Sequence, residues 1–179
     1  MSETALNWIR RCPRQDGGFA TCTGDTDGRT LETTALASQA LGHFDSDAER
    51  FLCTRLECDA ASPAEQLAAS AAILDCDKSL VPLPLLNQAC QVTARVQAES
   101  AADQALLLRC LLRLRLTRAW LLANSLRAMQ LADGSWPGPN ENKIITTATA
   151  ASALVLIESQ PGLYFGSDLP RPRRLRESS

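Results

Sequence analysis

Three carboxylates and one guanidinium, Asp25, Asp27, Glu32 and Arg29, crowd into a single short stretch. Carboxylates so placed can exchange protons with a bound molecule, and an arginine beside them can hold an anionic group. Asp25, Asp27 and Arg29 belong to a polar connection over residues 13–30 that carries Gly17, Gly18, Gly24 and Gly28. It is longer than a simple turn needs, and long connections in compact domains are often functional. The competing reading is a solvated connection. Two further acids open helical segments. Ser62-Pro63-Ala64-Glu65 has the spacing of a capping box with proline at the first helical position, and Ser100-Ala101-Ala102-Asp103 is its close relative. Both acids are therefore assigned first to helix amides. Glu32 escapes that assignment, because Thr30 precedes it by only two residues. The candidate site is thus Glu32, Asp27 and Asp25 for proton transfer, with Arg29, Thr33 and Asp103 as substrate contacts.

Helices must position these residues. Hydrophobic residues make up 45% of the 179 and aromatics only 4%. A core built from Leu and Ala favours close-packed helices, since strands draw on β-branched and aromatic residues. Apolar positions recur with helical period in eight segments, near 3–12, 31–44, 48–57, 63–74, 84–97, 101–116, 117–130 and 144–159. Leu6, Trp8 and Ile9 are the core candidates of the first. No strand-like alternation between hairpin turns occurs, which fixes the class as all-α.

The even-numbered segments, such as Thr33-Thr34-Ala35-Leu36 and Thr146-Thr147-Ala148-Thr149, are small and apolar on nearly every face. The odd-numbered ones carry the charges, among them Arg10, Glu49, Arg55, Arg118 and Arg127. A helix apolar all round is buried all round, so the division predicts an inner layer with an outer layer around it. Starts roughly 30 to 45 residues apart match a repeat of helical hairpins. Residues 1–161 form this domain, and 162–179 read as an extended basic tail with Arg171, Arg173, Arg174 and Arg176.

Formal charge is −2, from 18 basic and 20 acidic residues, so no global field attracts nucleic acid. The most apolar run, 106–116, is too short to span a bilayer and holds three arginines. No secretory signal is visible, and the seven cysteines show no framework spacing. These features predict a cytoplasmic protein with reduced thiols, without membrane insertion and without disulfides. No cofactor or metal set is expected. His43, the one histidine, lies beside Gly42 at a helix end, where it caps carbonyls.

Two loops share one shape. Gln15-Asp16-Gly17-Gly18-Phe19 follows the first segment, and Gln130-Leu131-Ala132-Asp133-Gly134-Ser135-Trp136 follows the seventh. Each leads into Thr-Thr-Ala, at Thr33-Thr34-Ala35 and Thr146-Thr147-Ala148. The combination resembles the repeat of squalene-hopene cyclases and other class II terpene cyclases, found also in the β subunits of protein prenyltransferases. Pro13 stands where the first copy should have the glutamine that Gln130 supplies. The resemblance implies an α/α toroid, here a partial barrel of about four helix hairpins. It makes Asp16, Gly17, Phe19, Gln130, Asp133, Gly134 and Trp136 a structural motif that clamps the barrel.

The family's chemistries fit less well. A class II cyclase acid needs Asp-x-Asp-Asp, and Asp25-Thr26-Asp27-Gly28 lacks the last carboxylate; a zinc prenyltransferase needs Asp-x-Cys, which is absent. Fold-level analogy to short paired chains of antibiotic pathways leaves a small-molecule ring-forming subunit of the cyclase or lyase type, of the aziridine- or azabicycle-forming kind. The alternatives are a non-catalytic helical scaffold that completes a partner's barrel, and a terpene-cyclase relative acting on an isoprenoid. Four hairpins cannot close a toroid of 12 or more helices, so a second, homologous chain is expected to complete it, as a heterodimer or otherwise a homodimer. The 162–179 tail, with Leu163, Tyr164 and Phe165, is a strap onto that partner.

Overall fold

The computed structural model describes residues 3–12, 16–19, 30–57, 61–138 and 143–159. These residues form eight helices and no strand: α1 (Glu3–Ile9), α2 (Thr30–Leu41), α3 (Ser46–Glu57), α4 (Pro63–Asp75), α5 (Leu83–Arg95), α6 (Ala101–Arg113), α7 (Arg118–Ala128) and α8 (Lys143–Glu158). The chain is all-helical, and no helix among the described residues is long and apolar enough to cross a membrane. The tail at 162–179 lies outside the described residues.

Local chemistry sets the helix limits. Asp45 Oδ1 accepts from the amides of Ala48 at 2.8 Å and Asp47 at 3.0 Å, which starts α3 two residues before the first apolar position. Ser62 and Glu65 cap α4 reciprocally, with Pro63 inside the first turn. At the other ends the helices stop earlier than their apolar period. The 101–116 segment ends at Arg113 because Arg115 takes φ +56°, and Leu116 donates back to the Leu111 carbonyl at 3.0 Å. Gly42 at φ +76° ends α2 in the same way, with His43 N–H reaching Ser38 O at 3.2 Å. His43 Nδ1 lies 3.2 Å from the Leu41 carbonyl, the capping role expected of it.

The even-numbered helices stack in one row: α2 on α4, α4 on α6, α6 on α8. Their first turns all line one cavity, so the four run in the same direction. Alanines at the contacts, among them Ala35, Ala69, Ala72, Ala105, Ala150 and Ala153, allow close approach. The residues of α4 from Gln66 through Leu74 are all buried, as expected of a helix apolar on every side. A second layer, α3, α5 and α7, packs behind the row. Leu52, Leu56, Leu67, Leu85, Leu108 and Leu126 are fully buried, each stabilising the fold by about 1.5–3 kcal/mol.

One core expectation fails. Helix α1 buries no residue, and Trp8 is 56% exposed. At seven residues α1 presents too short a face, and its main helix contact among the described residues is with α2. The cysteines divide as well: Cys76 and Cys110 are buried, whereas Cys12, Cys53 and Cys90 are half-buried, and all five are free thiols.

Candidate functional site

The amino ends of α2, α4, α6 and α8 surround a cavity of about 560 Å³. Glu32 from the first turn of α2 lines it, as do Glu65 of α4, Asp103 of α6 and Arg109 one to two turns deeper. Ala64, Ala68 and Leu106 supply apolar wall, and no aromatic side chain among the described residues lines it. Each acid comes to the rim for a local reason. Ser62 caps α4, so Glu65 Oε2 accepts from Ser62 N–H at 3.0 Å and from its hydroxyl at 2.9 Å. Ser100 caps α6: its Oγ accepts from Asp103 N–H at 3.1 Å and donates to Asp103 Oδ2 at 2.7 Å. Two of the three carboxylates therefore already serve helix ends. Glu32 is half-buried in the first turn of α2.

Arg109 is the cation of the site. Asp75, at the end of α4 and 15% exposed, takes Arg109 on Oδ2 at 2.5 Å and the Arg113 Nε–H on Oδ1. The two arginines lie one helical turn apart on α6, so a single carboxylate at the carboxyl end of α4 ties the two helices together. This clamp fixes Arg109 as a wall of the cavity, and because one carboxylate is shared by two guanidiniums the triad keeps a net positive charge. With Glu32, Glu65 and Asp103 at the mouth, the surroundings are net acidic.

A second hollow of about 530 Å³ adjoins the first and shares Asp103, with Arg95, Gln66 and Glu99 on its walls. Arg95 donates to the Leu56 carbonyl and, at 3.1 Å, to Gln66 Oε1, while Gln66 Nε2 donates to Ala61 O at 3.0 Å. Arg95 thus braces the α3 end against α4. The hollow holding Glu32 is the stronger candidate, because all four row helices converge on it.

The structure brings Glu32 and Asp103 to one cavity and separates Thr33 from them. Thr33 faces a different, apolar groove of about 230 Å³, with Trp8, Ile9, Phe19, Leu36 and Ala37. One residue along a helix is a turn of about 100°, which carries Thr33 off the face of Glu32. Asp25, Asp27 and Arg29 lie outside the described residues. Sequence reasoning missed Arg109. Its signal was present as two arginines at i and i+4 on a helix otherwise apolar, since charges that interrupt such a run need a partner. Among the described residues no group of three or more His, Cys, Asp or Glu is placed to hold a metal.

The paired loops repeat one hydrogen-bond skeleton. Asp16 Oδ1 accepts from Gly18 N–H at 3.1 Å, and Asp133 Oδ1 accepts from Ser135 N–H at 3.0 Å. Gly17 and Gly134 take φ +88° and +80°. Phe19 N–H donates to Thr34 Oγ1 at 2.8 Å, and Trp136 N–H donates to Thr147 Oγ1 at 3.2 Å. Both aromatics are buried. Gln130 Nε2 adds a bond to Gly134 O at 2.8 Å, and Trp136 Nε1 one to Leu126 O at 2.7 Å. Hydrogen bonds from Ser135, its hydroxyl first, and from Lys143 hold the Asp133 carboxyl well below the usual carboxylate range. The second threonine of each Thr-Thr-Ala is what the loop grips, so each loop sets the height and rotation of the row helix that follows.

Comparison with protein-family models, with curated proteins and with solved structures finds no match to this chain.

Proposed function

We propose that the chain is a subunit of a small-molecule ring-forming enzyme of the cyclase or lyase type, in which Glu32 moves the proton. The observation that carries this reading is the convergence of four row helices on one cavity, with Glu32 half-buried in its wall. A net acidic mouth above an alanine and leucine wall suits a small amine-bearing substrate: carboxylates attract the ammonium and the wall packs against its carbon skeleton. Ring closure by nitrogen needs that ammonium to lose a proton before the lone pair attacks, which is the task of a general base at the rim. Arg109, held by Asp75, is a contact for an anionic leaving or anchoring group. Such chemistry accords with azabicycle- and aziridine-forming subunits of secondary metabolism. The two-layer row of hairpins accords with an open segment of an α/α toroid, which a further chain would complete.

Small primary and secondary amines should raise the melting temperature of the wild-type chain and leave that of Glu32→Gln unchanged. Carboxylate anions of the same size should do neither. A response of Glu32→Gln equal to wild type would remove Glu32 from the site, and the absence of any amine response would overturn the substrate class.

A second reading, a supporting subunit without chemistry of its own, is favoured by the engagement of Glu65 and Asp103 in helix caps. It expects full activity from an assembled complex that contains Glu32→Gln. An isoprenoid carbocation substrate is disfavoured, because no aromatic face among the described residues lines the cavity to stabilise a travelling positive charge.

A further inference from the structure

The two ends of the helix row differ in how they are covered. Aligning α2 and α8 on the threonines their loops grip, Thr34 and Thr147, pairs Leu31 with Ile144, Ala35 with Ala148 and Ser38 with Ala151. In α2 these positions are buried in the row: Leu31 is 3% exposed, and Ala35 and Ser38 are closed off. In α8 the same positions are open. Ile144 is 84% exposed, Ala148 and Ala151 are exposed, and Val155 one turn on is 64% exposed. The face with which α2 enters the row is, on α8, an apolar stripe without a neighbour among the described residues.

The loops tell the same story independently. A Cβ on Gly17 would lie 2.5 Å from the Asp47 carbonyl oxygen, because the first helix of the next hairpin, α3, is seated there. A Cβ on Gly134 would meet nothing within 4 Å. Past α8, then, the described residues supply neither the next row helix nor the next second-layer helix. At the opposite end of the row the complementary surface is open. The outward side of α2 and the short α1 leave an apolar groove of about 230 Å³, lined by Trp8, Ile9, Phe19, Thr33, Leu36 and Ala37. Helix α1 precedes α2 just as α3 precedes α4, and it buries none of its own residues.

We propose that two copies of this chain associate head to tail, the α8 stripe of each seated against the α1–α2 groove of the other, so that their concave sites join into one closed cavity. The stripe and the groove belong to one chain, at opposite ends of one stack with one register. A second copy therefore supplies each end with the neighbour the repeat calls for. Two such junctions related by a twofold axis leave no end open. In this arrangement α1 of the second copy takes, over Gly134, the place that α3 takes over Gly17, and its exposed Trp8 is covered. Ile145 of α8 is the positional equivalent of Glu32 and lines the same cavity. Docking α2 of the second copy beside α8 therefore brings that copy's Glu32 next to the Ile145 and Thr149 wall. The site is incomplete in a single chain. This inference rests on the reading of an open row that a further chain completes, and not on the chemistry proposed for Glu32.

Light scattering of the full purified chain tests it without any substrate. Wild type should show the mass of two chains. Ala151→Glu and Leu36→Lys should each weaken the dimer by about a hundredfold, because each places a charge in an apolar junction. Val155→Arg, at a position 64% exposed, should do the same, and circular dichroism should show native helix content in all three. An equimolar mixture of Ala151→Glu and Leu36→Lys should recover a dimer, since one junction is then wild type and the other pairs opposite charges. A wild-type monomer would overturn the proposal, including the case in which residues 160–179 or a different protein covers the stripe. So would an open polymer. A Leu36→Lys variant that dimerises like wild type would overturn the head-to-tail geometry in favour of α8 against α8.

Discussion

Loop 16–19 with α2 and loop 133–136 with α8 are one device built twice, and their surroundings set them apart. Both use an aspartate to accept from the amide two residues on, a glycine in the left-handed region, and a buried aromatic whose amide holds a threonine. The aspartate bonds are nearly the same length in both copies, 3.1 and 3.0 Å. Around the first copy, however, α3 presses on Gly17 and Gly18: a Cβ on Gly18 would lie 2.9 Å from the Phe51 ring. Around the second, Gly134 faces open space, and the tight contact moves to Gly138, where a Cβ would lie 2.7 Å from Thr146 Oγ1. The local device is thus set by its own sequence, while its packing is set by the hairpin that comes next. A repeat unit at the end of a row keeps its shape and lacks the packing of a following hairpin.

The largest effect should come from the aromatics, and it should favour the second copy. Trp136→Ala removes a buried ring together with the indole bond to Leu126 O, for a loss of about 4 kcal/mol. Phe19→Ala removes a smaller ring without such a bond and should cost about 3 kcal/mol. Denaturant melts read both, and equal losses would deny the indole bond any weight. The glycines should reverse that order. Gly17→Ala combines left-handed backbone with a collision against the Asp47 carbonyl, which is backbone and gives way poorly; about 2–4 kcal/mol is expected. Gly134→Ala carries the backbone strain alone and should cost about 1 kcal/mol in the isolated chain. If the two cost the same, the seat on α3 contributes nothing and the comparison between the two ends loses its force.

Which parts of this were legible beforehand follows from what each residue needs. Eight helices were readable because a Leu and Ala period is a property of the chain itself, and because Ser62 and Ser100 announce their helix starts. Helix ends were less readable. Arg115 adopts a positive φ that nothing in its side chain favours, so the apolar period ran on past Arg113 to Leu116. Trp8 looked like core because it is large and apolar, yet its burial depends on a neighbour that the described residues do not provide. Glu32 and Asp103 come to one cavity because both stand at helix starts. Thr33 was misplaced by one residue of helical rotation, and Arg109 emerged only once Asp75 was seen beside it, 34 residues away in sequence. Non-local pairings of this sort leave little trace in spacing.

The smallest expected effect concerns Asp133 and acid. Its carboxyl is held below the ordinary range by the Ser135 hydroxyl, the Ser135 amide and Lys143, so the folded chain keeps it ionised where the unfolded chain binds a proton. A group with a depressed folded pKa contributes stability that is complete above its unfolded value, near pH 4, and is lost as pH falls through the folded value. Wild type should therefore lose melting temperature between about pH 5 and about pH 3 more steeply than Asp133→Asn does. The carboxylate is well exposed and salt-screened, so the difference should be modest and should shrink further at high ionic strength. The amide oxygen that Asp133→Asn introduces can still accept from the Ser135 amide, which keeps the turn intact and isolates the charge. Parallel curves for the two proteins would mean that neither Ser135 nor Lys143, standing at the start of α8, favours the ionised Asp133 carboxylate in solution. The loop would then hold α8 through Trp136 and Thr147 alone, as the first loop holds α2 through Phe19 and Thr34.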